Sequence, residues 1–120
     1  MTEVWLSRRA LLDVDAIDQY STERWGRRTA NRYLEDLHGA LDRLKQAPSL
    51  LARRDELSLR LSFYRVREHL LICDVIDEDV YVLAVRHTAM DLPRRIAELE
   101  PVLRQEVQML HETVVAKRRE

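Results

Sequence analysis

Six side chains between positions 60 and 87 could do chemistry: Arg60, Arg65, Arg67, His69, Arg86 and His87. Arginine holds a phosphate through two parallel hydrogen bonds, and an imidazole exchanges a proton near neutrality. Cleavage of RNA by a 2′-hydroxyl would use those parts. It needs a group to take the hydroxyl proton, one to protonate the leaving oxygen, and cations on the phosphate. The next stretch, Thr88-Ala-Met-Asp-Leu-Pro93, offers no Tyr and no Lys, and the charge of Asp91 would repel a phosphate backbone. As an RNA-cleaving set, the constellation is incomplete.

Plainer roles suit most of these groups. His87 follows a strand end and is expected to order the junction with the next helix. His69 sits at a turn and is expected to be an exposed imidazole. His38 and His111 read as solvated, and no histidine pair has a carboxylate at metal-ligand spacing, so neither a metal nor another cofactor is expected. Cys73, the only cysteine, lies in an apolar run and reads as a small buried hydrophobe. The pairs Arg53-Arg54 and Arg94-Arg95 read as solvated faces with local ion pairs.

The elements that must position these residues follow from periodicity. Val4-Trp5-Leu6 is β-prone, and Ser7 is a plausible N-cap for a helix with Ala10, Val14, Ile17, Ser21 and Trp25 on one face. Gly26 ends it in the left-handed conformation of a C-terminal cap. A second helix runs from about Arg28 to Ala47 on the stripe Ala30, Tyr33, Leu37, Ala40, Leu41, Leu44, and Pro48 stops it. Leu59, Leu61 and Phe63 alternate with polar residues as a strand with one wet face. After a turn at Arg67-Glu68, the runs 69–76 and 80–86 are apolar on both faces, as in central strands. The sequence thus predicts an antiparallel meander joined by the N-terminal strand, with two helices on one side and the other side partly open. Asp91 can cap a last helix, Pro93 fits its first turn, and Pro101 should kink or restart it.

A net charge of −1 argues against a protein that coats nucleic acid non-specifically. The start of the chain lacks a basic stretch leading into an apolar one, and no run approaches the roughly 20 apolar residues of a membrane span. A cytoplasmic protein without membrane association is expected.

The order strand, helical hairpin, three-stranded meander and helix resembles the RelE/ParE superfamily of bacterial type II toxins, its ParE-like branch most. The stretches that carry the resemblance are Tyr20-Ser-Thr-Glu-Arg-Trp-Gly26, Tyr33-Leu with the Leu37/Leu41/Leu44 stripe and Pro48, Arg53-Arg-Asp-Glu-Leu57, His69-Leu-Leu-Ile72 and His87-Thr-Ala-Met-Asp91. The resemblance covers roughly residues 1–97 and implies an α/β (α+β) toxin domain. It also implies a cognate antitoxin, ParD-like with a ribbon-helix-helix part, whose C-terminal segment wraps the toxin. Tyr20, Trp25, Tyr33, Leu37, Arg60 and Tyr64 are the expected antitoxin contacts, although Trp25 taken alone reads as a core anchor.

Characterised ParE-like members act against DNA gyrase, whereas RelE-like members cleave mRNA on the ribosome with basic and aromatic residues around and after the last strand. Here that position reads Thr88-Ala-Met-Asp-Leu-Pro93, with no Tyr and no Lys. The expectation is therefore a gyrase-binding inhibitor without chemistry of its own, touching its target through Met90, Asp91, Leu92, Arg94 and Arg95. If the chain is an endoribonuclease instead, Arg65, Arg86 and His87 carry it. A non-toxic homologue that only binds antitoxin is the third reading.

Residues 98–120 exceed the usual family length as a helical extension of the same domain. Its stripe, Leu103, Val107, Leu110 and Val114, is too apolar to lie bare in water. It must fold onto its own domain, pair with a second copy as a homodimer, or dock on the antitoxin.

Overall fold

The computed structural model describes residues 2–120. Strand β1 (Val4–Leu6) leads into helices α1 (Arg8–Trp25) and α2 (Arg27–Gln46). After a short 3-10 turn come strands β2 (Ala52–Arg53), β3 (Ser62–Val66), β4 (His69–Ile76) and β5 (Asp79–His87), then helix α3 (Leu92–Arg118). The five strands form one sheet in the order β1-β5-β4-β3-β2. β1 lies parallel to β5, and the other neighbours are antiparallel. The two runs that are apolar on both faces, β4 and β5, are central as expected, and a mixed α/β fold is what the molecule has.

The hairpin is set locally. The Ser7 hydroxyl accepts the Ala10 N–H at 3.1 Å and donates to the Leu83 carbonyl at 3.0 Å, so one side chain both starts α1 and satisfies β5 where β1 has ended. Gly26 joins the helices at φ 91°, ψ 166°. That is an extended mirror-image conformation, not the left-handed helical cap predicted from sequence, and only glycine adopts it readily. A methyl group there would meet nothing within 4 Å, so the backbone conformation alone opposes it. Gly26→Ala should therefore lower the unfolding free energy by about 1–3 kcal/mol, read from urea denaturation. An unchanged midpoint would show that the hairpin closes some other way.

Two apolar layers sandwich the sheet. On one face, α2 buries Ala30, Tyr33, Leu37, Ala40 and Leu44 against Leu71, Cys73, Val80, Val82 and Val85. The other face is not open, as the sequence predicted, but covered by α3. Leu92, Ile96, Leu103, Val107 and Val114 pack there on Phe63, Leu70, Ile72, Tyr81 and Leu83, with Leu99 and Leu110 beside them. Their spacing of three and four residues is one continuous stripe. The apolar surface of the extension is thus used within the chain, which removes that stripe as a homodimer or antitoxin contact. Pro101 lies inside α3 and does not restart it, although it withholds one N–H from the helix.

Polar contacts fasten the far end of α3. Asp79, almost fully buried, accepts from the Glu3 N–H at 3.0 Å and the Trp5 indole at 3.4 Å, and Arg118 reaches it at 2.7 Å. His111, expected to be solvated, instead hydrogen-bonds the Tyr81 hydroxyl at 2.9 Å through Nδ1 and lies 3.4 Å from Asp77 through Nε2. The acceptors sit in and beside the tight turn between β4 and β5, where Asp77 and Glu78 both have positive φ.

Other expectations shift. Leu59 and Arg60 lie before β3 and not in it, and Leu59 is exposed. Asp91 occupies the N-cap position of α3 without a side-chain cap bond. The two-residue strand β2 had no readable sequence signal.

β5 carries one residue more than its partner. Ile72 pairs with Ala84 and Cys73 with Val82, leaving Leu83 as a bulge. Below the bulge, Tyr81 faces α3; above it, Ala84 does. Val85 faces the hairpin, and His87, two residues on, lies on that same side with its partner His69.

Candidate functional site

Where α1 runs past the end of the strands, a groove of about 480 Å³ opens between the hairpin and the upper ends of β4 and β5. Ala16, Ile17, Tyr20, Ser21 and Trp25 line it from α1, and Thr29 and Tyr33 from α2. Arg67, Glu68, His69 and His87 close it from the sheet. Trp25 was read as a core anchor, but it is 57% exposed, as is Tyr20. It is the last residue of its helix and has outrun the sheet; its ring meets Tyr20 edge-on at 5.8 Å, and Arg24 lies over it at 5.7 Å.

A row of rings forms the floor. His69 lies edge-on between Tyr33 at 5.2 Å and His87 at 5.1 Å, and the Arg67 guanidinium sits 5.8 Å over the Tyr33 ring. His69 is therefore half-buried, not the exposed turn imidazole expected. Burial, with help from neighbouring His87, pulls its pKa below the usual 6.5 against a smaller opposing pull from Glu68. Burial likewise raises the Tyr33 phenol to about 12. As pH falls through 6.5, the unfolded chain takes up the His69 proton before the folded chain does, so stability is lost toward acid. The urea midpoint should hold from pH 8 to 7 and decline as pH falls below 6.5. His69→Phe should flatten that decline; an equally steep one would assign it to other groups.

The residues expected to carry RNA chemistry do not converge. Arg86 is hydrogen-bonded to Asp13 of α1, whose carboxylate also accepts the Val85 N–H at 2.9 Å. His87 accepts the Ala89 N–H on Nδ1 at 3.0 Å, so in the neutral ring the proton sits on Nε2. That bond orders the strand-to-helix junction. Arg65 belongs to a different hollow, with Phe63, Leu70, Thr88 and Leu92. Its guanidinium donates to the Arg67 carbonyl at 2.7 Å.

The expected antitoxin contacts divide as well. Tyr20, Trp25 and Tyr33 share the groove. Leu37 is buried in the core and cannot touch a partner. Tyr64 lies on the α2 side, where its hydroxyl accepts from Arg43 at 3.1 Å. Arg60 belongs to the opposite face, bonded through Nε and one terminal nitrogen to the buried carboxylate of Asp74 at 3.0 and 2.9 Å, beside Arg104 and Met109 of α3. In the expected target segment, Leu92 is buried in the α3 core and Met90 packs against it, while Asp91, Arg94 and Arg95 point outward. Arg94 pairs with Glu98 at 3.6 Å. Sequence reasoning missed Ile17, Ser21 and Thr29 as groove lining. The first two stand on the very helical stripe that appeared to belong to the core.

Cys73 is fully buried, and burial pushes its thiol up, as a structural cysteine requires. Among the described residues there is no group of three or more His, Cys, Asp or Glu able to hold a metal ion, and no helix long and apolar enough to cross a membrane.

A parallel edge strand, a helical hairpin on one sheet face and an antiparallel meander below a groove define a small toxin-like α+β domain. Residues 4–92 match the family model described as the ParE toxin of the type II toxin–antitoxin system parDE, and the chain belongs to that family. A solved structure described as the chromosomal ParDE toxin–antitoxin system from P. aeruginosa superimposes with a TM-score of 0.64 at 18% identity, over 72% of this chain and 96% of the other. At that identity the likeness is one of fold. No curated protein matches the chain. The family match ends as α3 begins, so nearly the whole of that helix lies beyond it.

Proposed function

We propose that this chain is a toxin that a ParD-like antitoxin silences by laying a segment along the hairpin groove, and that it acts by binding DNA gyrase without catalysing a reaction. The dispersal of Arg65, Arg86 and His87 over three separate environments carries the absence of catalysis in this reading, and the resemblance to ParE-like toxins supports gyrase as the target. A general base needs hydrogen-bond reach of the proton it takes, with cations already facing the phosphate. Here Arg86 is committed to Asp13, and Nδ1 of His87 to the backbone of Ala89. The groove carries the first half: exposed Trp25 and Tyr20 beside a half-buried aromatic floor are the residue types that dominate protein interfaces. With Leu92 buried, contact with the target falls to Asp91, Arg94 and Arg95, with Met90 at their edge.

The test is pulse-labelling of DNA and protein synthesis in bacteria just after induction of the chain without antitoxin, followed by a gyrase supercoiling assay. Early loss of DNA synthesis with translation continuing is the expected result. Early loss of translation would make the chain a ribosome-dependent endonuclease. Loss of neither would leave a homologue that only binds antitoxin.

A further inference from the structure

Two polar atoms at the floor of the hairpin groove have no hydrogen-bond partner: the Tyr33 hydroxyl and Nδ1 of His69. Both are shut off from water, so their desolvation is not offset within the chain. They come from different elements, α2 and β4, yet their rings meet edge-on in one groove. No other buried side-chain nitrogen or oxygen among the described residues shares this condition. Tyr33 is more than nine-tenths buried.

Tyr33 and His69 are uncharged near neutrality, because burial raises the Tyr33 hydroxyl and lowers His69. The charged residues of the wall are already matched, Arg67 with Asp36 and Glu68 with Arg65. An anion entering the groove would find the guanidinium of the lining, Arg67, already held by Asp36 and, with the His69 proton on Nε2, would face the Nδ1 lone pair. A purely apolar group would leave both atoms unpaired. A group that accepts one hydrogen bond and donates another satisfies both.

We propose that the groove receives an uncharged hydrogen-bonding side chain of the antitoxin, a carboxamide or a hydroxyl on a short apolar stem. Its oxygen accepts from the Tyr33 hydroxyl, and its own proton goes to Nδ1 of His69. This rests on the groove being the antitoxin's seat. Entry requires the lining to move, and the exposed rings of Tyr20 and Trp25 can turn on the timescale of surface side chains.

The test measures binding of the antitoxin purified from its complex with this chain, using Tyr33→Phe, His69→Phe and Trp25→Ala. Tyr33→Phe removes one oxygen that makes no bond in the free chain, so the free protein should melt no lower than before. Its affinity should nonetheless fall roughly 3- to 10-fold. His69→Phe should weaken binding similarly while keeping a ring in place. Double-mutant cycles should couple Tyr33 to a single Asn, Gln, Ser or Thr of the antitoxin. If Trp25→Ala weakens binding and Tyr33→Phe does not, the groove is the seat but the anchor is apolar, and the proposal fails alone. Coupling to an acidic or basic residue overturns it too, as does a Tyr33→Phe loss matched by lower stability. If Trp25→Ala is also without effect, the groove is not the seat, and both readings fall together.

Discussion

Leu103→Asp should leave a chain that does not reach the native state, and removing residues 99–120 should do the same. Leu103 is completely buried in the layer that α3 makes with Phe63, Ile72, Tyr81 and Leu83. A carboxylate there would be charged without a partner or neutral without its hydrogen bonds, either costing several kcal/mol. The milder Leu103→Ala should cost about 2–5 kcal/mol. Against a total stability of about 5–15 kcal/mol for a domain of this size, that is a large share. Truncation goes further, since it strips one apolar face of the central strands and leaves Asp79 buried without Arg118. The expected readings are a broad or absent urea transition, aggregation on size exclusion, and loss of near-UV circular dichroism. A truncated chain that stays monomeric with an unchanged midpoint would show that α3 is an ornament on a self-sufficient domain.

Replacing Tyr20 and Trp25 together by Ala should weaken antitoxin binding by roughly 30-fold or more, which corresponds to the 2 kcal/mol or greater of an interface hot spot. The fold should hardly notice, because both rings are mostly in solvent and substitutions at such positions stay within about 0.5 kcal/mol. That contrast between large loss of affinity and small loss of stability separates a contact residue from a core one. Titration calorimetry with the purified antitoxin, paired with a melting curve of the free variant, reads both. Toxicity of the variant should persist and become harder to silence by co-expressed antitoxin. Unchanged affinity would move the partner's seat away from the hairpin.

How much of this was legible beforehand depended on whether one period governed a segment. α2 was readable because a single stripe, Ala30 to Leu44, meets a flat sheet along its whole length. β4 and β5 were readable because burial on both faces leaves few polar interruptions. Trp25 was misread because it continues the α1 stripe after the sheet beneath has ended; periodicity tells which side a residue is on, not whether anything lies there. His69 and His111 were misread for a related reason. A polar ring at a turn, like His69, or off the apolar stripe of a helix, like His111, has the sequence appearance of a solvated one, and only tertiary packing brought Tyr33 against the first and Tyr81 against the second. The closing of the second sheet face by α3 was one of three open outcomes, since an apolar stripe does not name its partner. The groove was half legible: Tyr20, Trp25 and, of its floor, Tyr33 were named as partner contacts, whereas His69 and His87 were not placed with them.

The extra residue in β5 has a consequence for tolerance to small insertions and deletions. A strand is a two-stroke device, each residue pointing opposite to the last, and Leu83 inserts a half-cycle delay between its lower and upper halves. Losing Leu83 would leave Ile72 opposite Ala84 and Cys73 opposite Val82 as neighbouring pairs, and the alternation would become unbroken with no residue changing sides. Val82 and Val85 would still face the hairpin, Ala84 would still face α3, and His87 would stay beside His69. The loss would fall on the layer under α3, which gives up the buried Leu83 side chain. A single codon lost at this point would therefore act on the core first and on the groove second.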